Sequence, residues 1–140
     1  MELAQAMEIV KAHRNGVLVT HRRDGRAQLS NIIYAVGDDG VVRISITADR
    51  AKAKNLARDP RAELYVGGDN FWRYLVLDAD AALSPVAAAP DDATVEELIA
   101  VYRSMVGEHP DWDEYRTTMV KDKRLVARLT PTRTVGLWRD

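Results

Sequence analysis

A chain of 140 residues that is 46% hydrophobic and 29% charged has the length and composition of one soluble domain, residues 1–140, able to bury a real core. Its 20 basic and 21 acidic residues leave a net charge of −1, which excludes a global field for nucleic acid or an anionic membrane and makes any anion site local. Cysteine is absent, which excludes disulfides, thiolate metal sites and cysteine nucleophiles.

The amino terminus lacks the apolar core of a secretory signal, and no run reaches bilayer-spanning length, so a cytoplasmic location is expected. An amphipathic helix is predicted from Glu2 to His13, with Leu3, Ala6, Met7 and Val10 along one stripe. Short strands follow: GVLVTHR, QLSNIIYAV, VVRISIT, AELYVG and RYLVLDADAAL, separated by the turn signals RRDG, GDDG, DPR and GGDN. This spacing predicts a mainly β fold, an antiparallel meander closed as a barrel, with helices at its periphery. One helix, Ala51 to Ala57, interrupts the strands. Another opens after Pro90, carries Val95, Leu98, Ile99, Tyr102 and Met105 as its apolar stripe, and ends at Gly107. A short helix from Asp111 to Lys121 holds Trp112, Tyr115 and Met119. Leu125, Ala127 and Leu129 then alternate in a strand that Pro131 is expected to stop, with Thr132 to Trp138 pairing once more at the edge.

His13, His21 and His109 show no ligand spacing, so no metal site is expected. No nucleophile elbow, Walker loop or dinucleotide-binding fingerprint occurs. The carboxylates Asp91, Asp92, Glu96 and Glu97 sit where they complement a helix dipole. The stretch from Val41 to Arg61 is the most informative. Val42, Ile44 and Ile46 fall on one face of a strand and Arg43, Ser45 and Thr47 on the other. Asp49 is the expected cap of the next helix, whose opening carries Arg50, Lys52 and Lys54. Cations at a helix N-terminus oppose the dipole, and a phosphate held by Arg50, Lys52 and the free amides removes the conflict; a solvated basic face is the alternative. On a regular helix Arg50 and Lys52 point nearly opposite ways, so they converge only if Arg50 lies in the preceding turn. In GRAQLSNIIY, Gln28, Ser30 and Ile32 share one strand face and Leu29, Asn31 and Ile33 the other, and the Asn31 amide needs a partner in the protein or in a ligand. Trp72, after a Gly-Gly-Asp turn, reads either as core or as a stacking wall for a flat heterocycle.

The succession GVLVTHRRDGRAQLSNIIY, VRISITADRAKAKNLARDPRAELYV and FWRYLVLDADAAL resembles the pyridoxamine-phosphate-oxidase-like split β-barrels, with GR-x-QLSN and R-x-K-x-x-NL-x-x-DPR as the most specific segments. It is similar to the actinobacterial flavin/deazaflavin oxidoreductases that use the 8-hydroxy-5-deazaflavin coenzyme F-420, and AAPDDATVEELIAVYR and GEHPDWDEYR share the likeness. The resemblance implies an FMN-binding-like split barrel, a homodimer and two cofactor sites at its interface. It implies phosphate contacts from Arg50 and Lys52 and a ring lined by Ser45, Ile46 and Thr47. Gln28, Ser30 and Asn31 match the neighbouring cofactor-facing strand, and Trp72 and Tyr74 would come from the partner. Arg22 and Arg23 would meet the oligoglutamate tail that a deazaflavin carries and FMN lacks. The VGLWRD ending does not match the substrate-binding segment of pyridoxine-phosphate oxidases, so vitamin B6 oxidation is not expected. The implied activity is hydride transfer from reduced coenzyme F-420 to a conjugated small-molecule acceptor, with His21 and Tyr74 as candidate proton donors. FMN chemistry on the same barrel, and carriage or sensing of the coenzyme without turnover, are the alternatives.

Overall fold

The computed structural model describes residues 1–139. Helix α1 (Leu3–Lys11) leads into β1 (Asn15–His21), β2 (Ala27–Ile33), β3 (Ala35–Val36) and β4 (Val42–Thr47). Helix α2 (Ala51–Arg58) precedes β5 (Arg61–Gly67) and β6 (Tyr74–Leu83); α3 (Ala93–Met105), α4 (Trp112–Lys121) and β7 (Arg124–Leu137) complete the chain. Helix α1 stops short of His13, whose Nδ1 donates to the Ile9 carbonyl at 2.8 Å and closes the helix end.

All seven strands form one curled antiparallel sheet in the order β2-β1-β5-β6-β7-β4-β3. The simple meander expected from the sequence is therefore corrected: β1–β2, β3–β4 and β5–β6–β7 are consecutive neighbours, but β1 lies beside β5 and β4 beside β7. QLSNIIYAV is likewise two strands rather than one. They form the opposite edges of the sheet and are joined by Tyr34 alone, so the sheet curls into a half-barrel without a ladder between its edges. Tyr34 is buried and its hydroxyl donates to the Val10 carbonyl at 2.8 Å, which pins α1 across this corner.

Pro131 does not end β7. It pairs with Ala79 at a bulge, where the register slips between Asp78 and Ala79 and Thr132 is the extra residue. A bulge already omits a ladder bond, so a residue without an N–H is tolerated there. The first half of β7 is held between β4 and β6, and its second half continues along β6.

Alternation decides the two faces. Leu18, Ile44, Ile46, Leu64, Leu75 and Leu77 point into the curl and are almost fully buried. Outside, α3 and α4 cover β7 through Leu98, Ile99, Tyr115 and Met119 packed with Val126, and α3 meets β3 through Val101, Met105 and Ala35. Asp92 caps α3 by accepting from the Val95 amide at 2.8 Å. Glu97, one turn on, instead accepts from Arg43 Nε and Arg128 Nε at 3.1 and 2.9 Å and ties α3 to β4 and β7. Hydrogen bonds from Arg128 and Arg43 hold its carboxyl below the usual range against the opposing effect of burial. Among the described residues no helix covers the outer face of β2, β1, β5, β6 and the second half of β7, and Leu29, Ile33 and Val135 are 62%, 53% and 47% exposed there.

Candidate functional site

The site begins with the turn between β4 and α2. Arg50 donates its backbone N–H to the Thr47 carbonyl at 3.1 Å, and its extended backbone (φ −82°, ψ 156°) makes it the residue that precedes the helix. Asp49 is thus not the cap; it is exposed, and among the described residues no side chain caps α2. Because Arg50 lies outside the helix, it and Lys52 do converge, and both line one groove of about 440 Å³. Helix α2 is held in place by buried Ala53 and Leu56 and by Asn55, whose amide Nδ2 donates to the buried Thr20 hydroxyl at 3.1 Å. Arg58 Nη2 donates to Asn55 Oδ1 at 3.0 Å. The asparagine of the R-x-K-x-x-NL segment is therefore an anchor, while Asp59 of the DPR segment accepts from the Arg61 amide and guanidinium.

Ser45 and Thr47 of β4 and Asn31 and Ile33 of β2 form one side of the groove. Tyr102 and Met105 of α3, with Tyr115 and Met119 of α4, form the other. Arg124, the first residue of β7, enters beside Thr47, its partner in the β4–β7 register. Its Nη1 reaches the Ser45 carbonyl and hydroxyl only at 3.4 and 3.5 Å, and its buried Nε has no hydrogen-bond partner among the described residues. Among the described residues none of Arg50, Lys52 and Arg124 forms an ion pair. Burial first, and then the charges of Arg50 and Arg124, push the Lys52 ammonium below its ordinary pKa. Three cations thus crowd together beside an uncapped helix N-terminus, an arrangement that an anion relieves. The Tyr115 hydroxyl donates to the Leu98 carbonyl at 3.0 Å, and burial pushes its pKa up to about 12, so it stays a neutral phenol.

The family model described as pyridoxamine 5'-phosphate oxidase matches residues 3–137, almost the whole chain. The chain belongs to the pyridoxamine 5'-phosphate oxidase family. Among solved structures it is similar to the conserved hypothetical protein Rv2991 of Mycobacterium tuberculosis, at 26% identity over 97% of this chain and 84% of that one, with a TM-score of 0.73. A protein described as an F-420 reductase is 25% identical over 87% of this chain and 89% of its own, with a TM-score of 0.59. A FAD-binding protein of Mesorhizobium loti shares the fold at 16% identity, with coverage of 97% and 92% and a TM-score of 0.68.

Within this member of the oxidase family, Asn31, Ser45, Ile46, Thr47, Arg50 and Lys52 all line the one groove. The Asn31 side-chain amide makes no hydrogen bond among the described residues, while its backbone belongs to the β1–β2 pair. Gln28 and Ser30 point to the opposite face of β2, half-buried, in register with Thr20 and Leu18. Tyr74 lies on the outer face of the sheet, stacked on Tyr65 with ring centroids 6.0 Å apart. Trp72 is 71% exposed in the β5–β6 loop, edge-on to Phe71. His21 bonds Glu63 through Nε2 at 2.9 Å and lies outside the groove. Arg22 and Arg23 occupy the β1–β2 turn, at the end of β2 remote from Asn31. Arg124 and the helical wall of Tyr102, Met105, Tyr115 and Met119 escaped the sequence reading. The wall residues showed there only as core stripe, and Arg124 lies 79 residues from Ser45 in sequence, with no local signal to join them.

Proposed function

We propose that the protein is a reductase that uses the deazaflavin coenzyme F-420 to reduce a conjugated small-molecule acceptor. The observation that carries this reading is the trio of Arg50, Lys52 and Arg124, without an ion pair among the described residues, at a groove of about 440 Å³. The residues fit a phosphate-bearing ring. Arg50 and Lys52 hold the phosphate together with the uncapped amides of α2, and the orphaned Arg124 Nε gains an acceptor. Ser45 and Thr47 offer hydroxyls and backbone to one edge of the ring, while Ile33, Met105 and Met119 give it apolar sides. When bound, the coenzyme supplies the hydride for an electron-poor carbon of the acceptor. The chain's own part is to bind, orient and exclude water. With the Tyr115 hydroxyl committed to Leu98, the proton comes from solvent. The 25% identity to an F-420 reductase supports the deazaflavin over FMN.

The working unit is a homodimer. A second copy seated on the exposed face of β1, β2, β5, β6 and β7 walls the groove along Asn31 and Ile33, which border both that face and the groove. Its Trp72 and Tyr74 complete the ring site from the other chain.

A side-by-side fluorescence titration with FMN and with coenzyme F-420 tests the reading. Selective binding of the deazaflavin, followed by turnover with a conjugated enone or quinone, is expected. Preference for FMN would transfer the same site to flavin chemistry. Binding without turnover across a broad acceptor panel would make the protein a carrier, and binding of neither cofactor would sink the proposal.

A further inference from the structure

Beyond the β2 side of the groove lies a second cavity with the opposite chemistry. It has a volume of about 610 Å³ and shares Asn31, Ile32 and Ile33 with the groove, so the two spaces meet along this strand. Asn15, Gly16, Val17, Tyr65 and Gly67 complete its lining. Where the groove gathers Arg50, Lys52 and Arg124, this cavity is lined, among the described residues, by no Asp, Glu, Lys, Arg or His. An anion placed here would lose its water with no cation to replace it, whereas a flat neutral molecule would not meet that penalty.

The lining also has a direction. In the β1–β2 register Asn15 stands opposite Ile33 and Val17 opposite Asn31, which makes the two asparagines diagonal neighbours, about 7–8 Å apart. Neither side-chain amide makes a hydrogen bond among the described residues, so both keep N–H donors for an oxygen placed between them. Tyr65 supplies a ring surface: it is 39% exposed and is steadied by Tyr74, whose ring is stacked on it at 6.0 Å and 18° while staying outside the lining. Gly67 does not lie in the left-handed region, so its backbone does not call for glycine. A Cβ there would stand 3.4 Å from the Tyr65 ring and narrow the space beside it.

We infer that this cavity holds the hydride acceptor, a flat, uncharged conjugated carbonyl compound, with its oxygen bonded by Asn15 and Asn31 and its ring against Tyr65. The inference rests on the proposed function and adds to it where the acceptor lies and that it carries no negative charge. As hydride adds to an electron-poor carbon of the acceptor, the C=C electron pair moves toward the carbonyl oxygen. Two electrons thus pass from coenzyme to acceptor, and a solvent proton neutralises the resulting enolate. Amide donors aimed at that oxygen stabilise the charge as it forms. Asn31 borders both spaces, whereas Asn15 and Tyr65 belong to the acceptor's alone. A second copy on the outer face roofs the cavity, so the acceptor is enclosed only in the dimer.

The test is equilibrium dialysis of the protein loaded with oxidised coenzyme F-420 against two probes of nearly equal shape. One is methoxynaphthoquinone, which is neutral; the other is hydroxynaphthoquinone, which is an anion at neutral pH. Oxidised coenzyme reduces neither, so binding is read without turnover. The wild type is expected to hold the neutral probe about ten-fold or more tightly than the anion. Asn15→Arg should move that ratio about ten-fold toward the anion, more at low salt, while coenzyme affinity changes about two-fold or less. Asn15→Leu should weaken the neutral probe about three- to ten-fold and raise its KM with reduced coenzyme; adding no charge, it carries the test if the arginine disturbs folding or the dimer. Equal affinity of the wild type for both probes, binding of neither while the coenzyme is held, or no change in the Asn15 variants would overturn the inference and leave the proposed function standing. A wild type that binds no coenzyme would remove the proposed function and this inference with it.

Discussion

Lys52 is the residue at which the electrostatics of the groove are most exposed to measurement. Its ammonium is partly buried and faces Arg50 and Arg124, and its pKa falls below the ordinary 10.5 in the free protein. For a base with a depressed folded pKa, the folded state binds fewer protons than the unfolded one between that pKa and 10.5. The free protein should therefore gain stability as pH rises through this window, while affinity for an anion should fall, because binding needs the protonated form. Lys52→Ala should flatten both trends in parallel stability and binding profiles; an unchanged pH dependence would place the titrating group elsewhere. Arg50→Ala and Lys52→Ala should each weaken cofactor binding about ten-fold, or about 1.4 kcal/mol, by removing a charge-assisted bond to phosphate. Arg124→Met separates function from folding more sharply. It removes a buried donor left without a partner, a defect that costs about 1–3 kcal/mol, so the melting temperature should hold or rise while affinity drops. A variant that loses stability and keeps affinity would show that Arg124 serves the fold. Arg50 and Lys52 were legible in the sequence because cations at the start of a helix violate the dipole preference. Arg124 was not, because its neighbours reach it only through the pairing of β4 with β7.

Helix α2 is the element that turns a sequence motif into a site. Eight residues cannot hold a helix in water unaided, so its direction depends on what it buries: Ala53, Leu56 and the Asn55 amide. Asn55→Ala should leave the Thr20 hydroxyl buried without a partner and cost about 1–3 kcal/mol. It should also lower cofactor affinity although Asn55 lies outside the groove, because the amides and Arg50 lose their common aim. Urea unfolding together with a binding titration checks both parts; full affinity in a destabilised variant would mean that the helix start is held by the β4 turn alone. At this scale most elements were readable, since period-two alternation in β4 and the apolar stripes of α3 and α4 survive in any tertiary setting. The misreadings share one physical origin. Pro131 and the single β2–β3 strand were judged by local rules, whereas a bulge opposite Asp78 and a buried corner at Tyr34 are decided by which strand lies alongside.

The uncovered face of the sheet bears on the whole molecule. Strand registers put Asn31 beside Val17, Val17 beside Tyr65, Tyr65 beside Val76 and Val76 beside Val135, a row that crosses five strands from β2 to β7. Leu29, Ile33 and Leu137 widen it with further exposed apolar surface. The proposed dimer would cover this apolar row. The sequence showed the alternation that creates it but not which face the helices leave open. Self-association across it brings two copies of each residue together, so one introduced charge appears twice in a desolvated interface. Val17→Glu, near the middle of the row and outside the phosphate contact, should convert a dimer to a monomer in analytical ultracentrifugation. If the groove is completed by the partner, the same variant should lose cofactor affinity by about ten-fold or more, although every groove residue of its own chain is intact. A monomeric variant with wild-type affinity would show that one chain suffices for the site. A wild-type protein that sediments as a monomer at micromolar concentration would remove the dimer itself, and with it the assignment of Trp72 and Tyr74 to the partner's ring site.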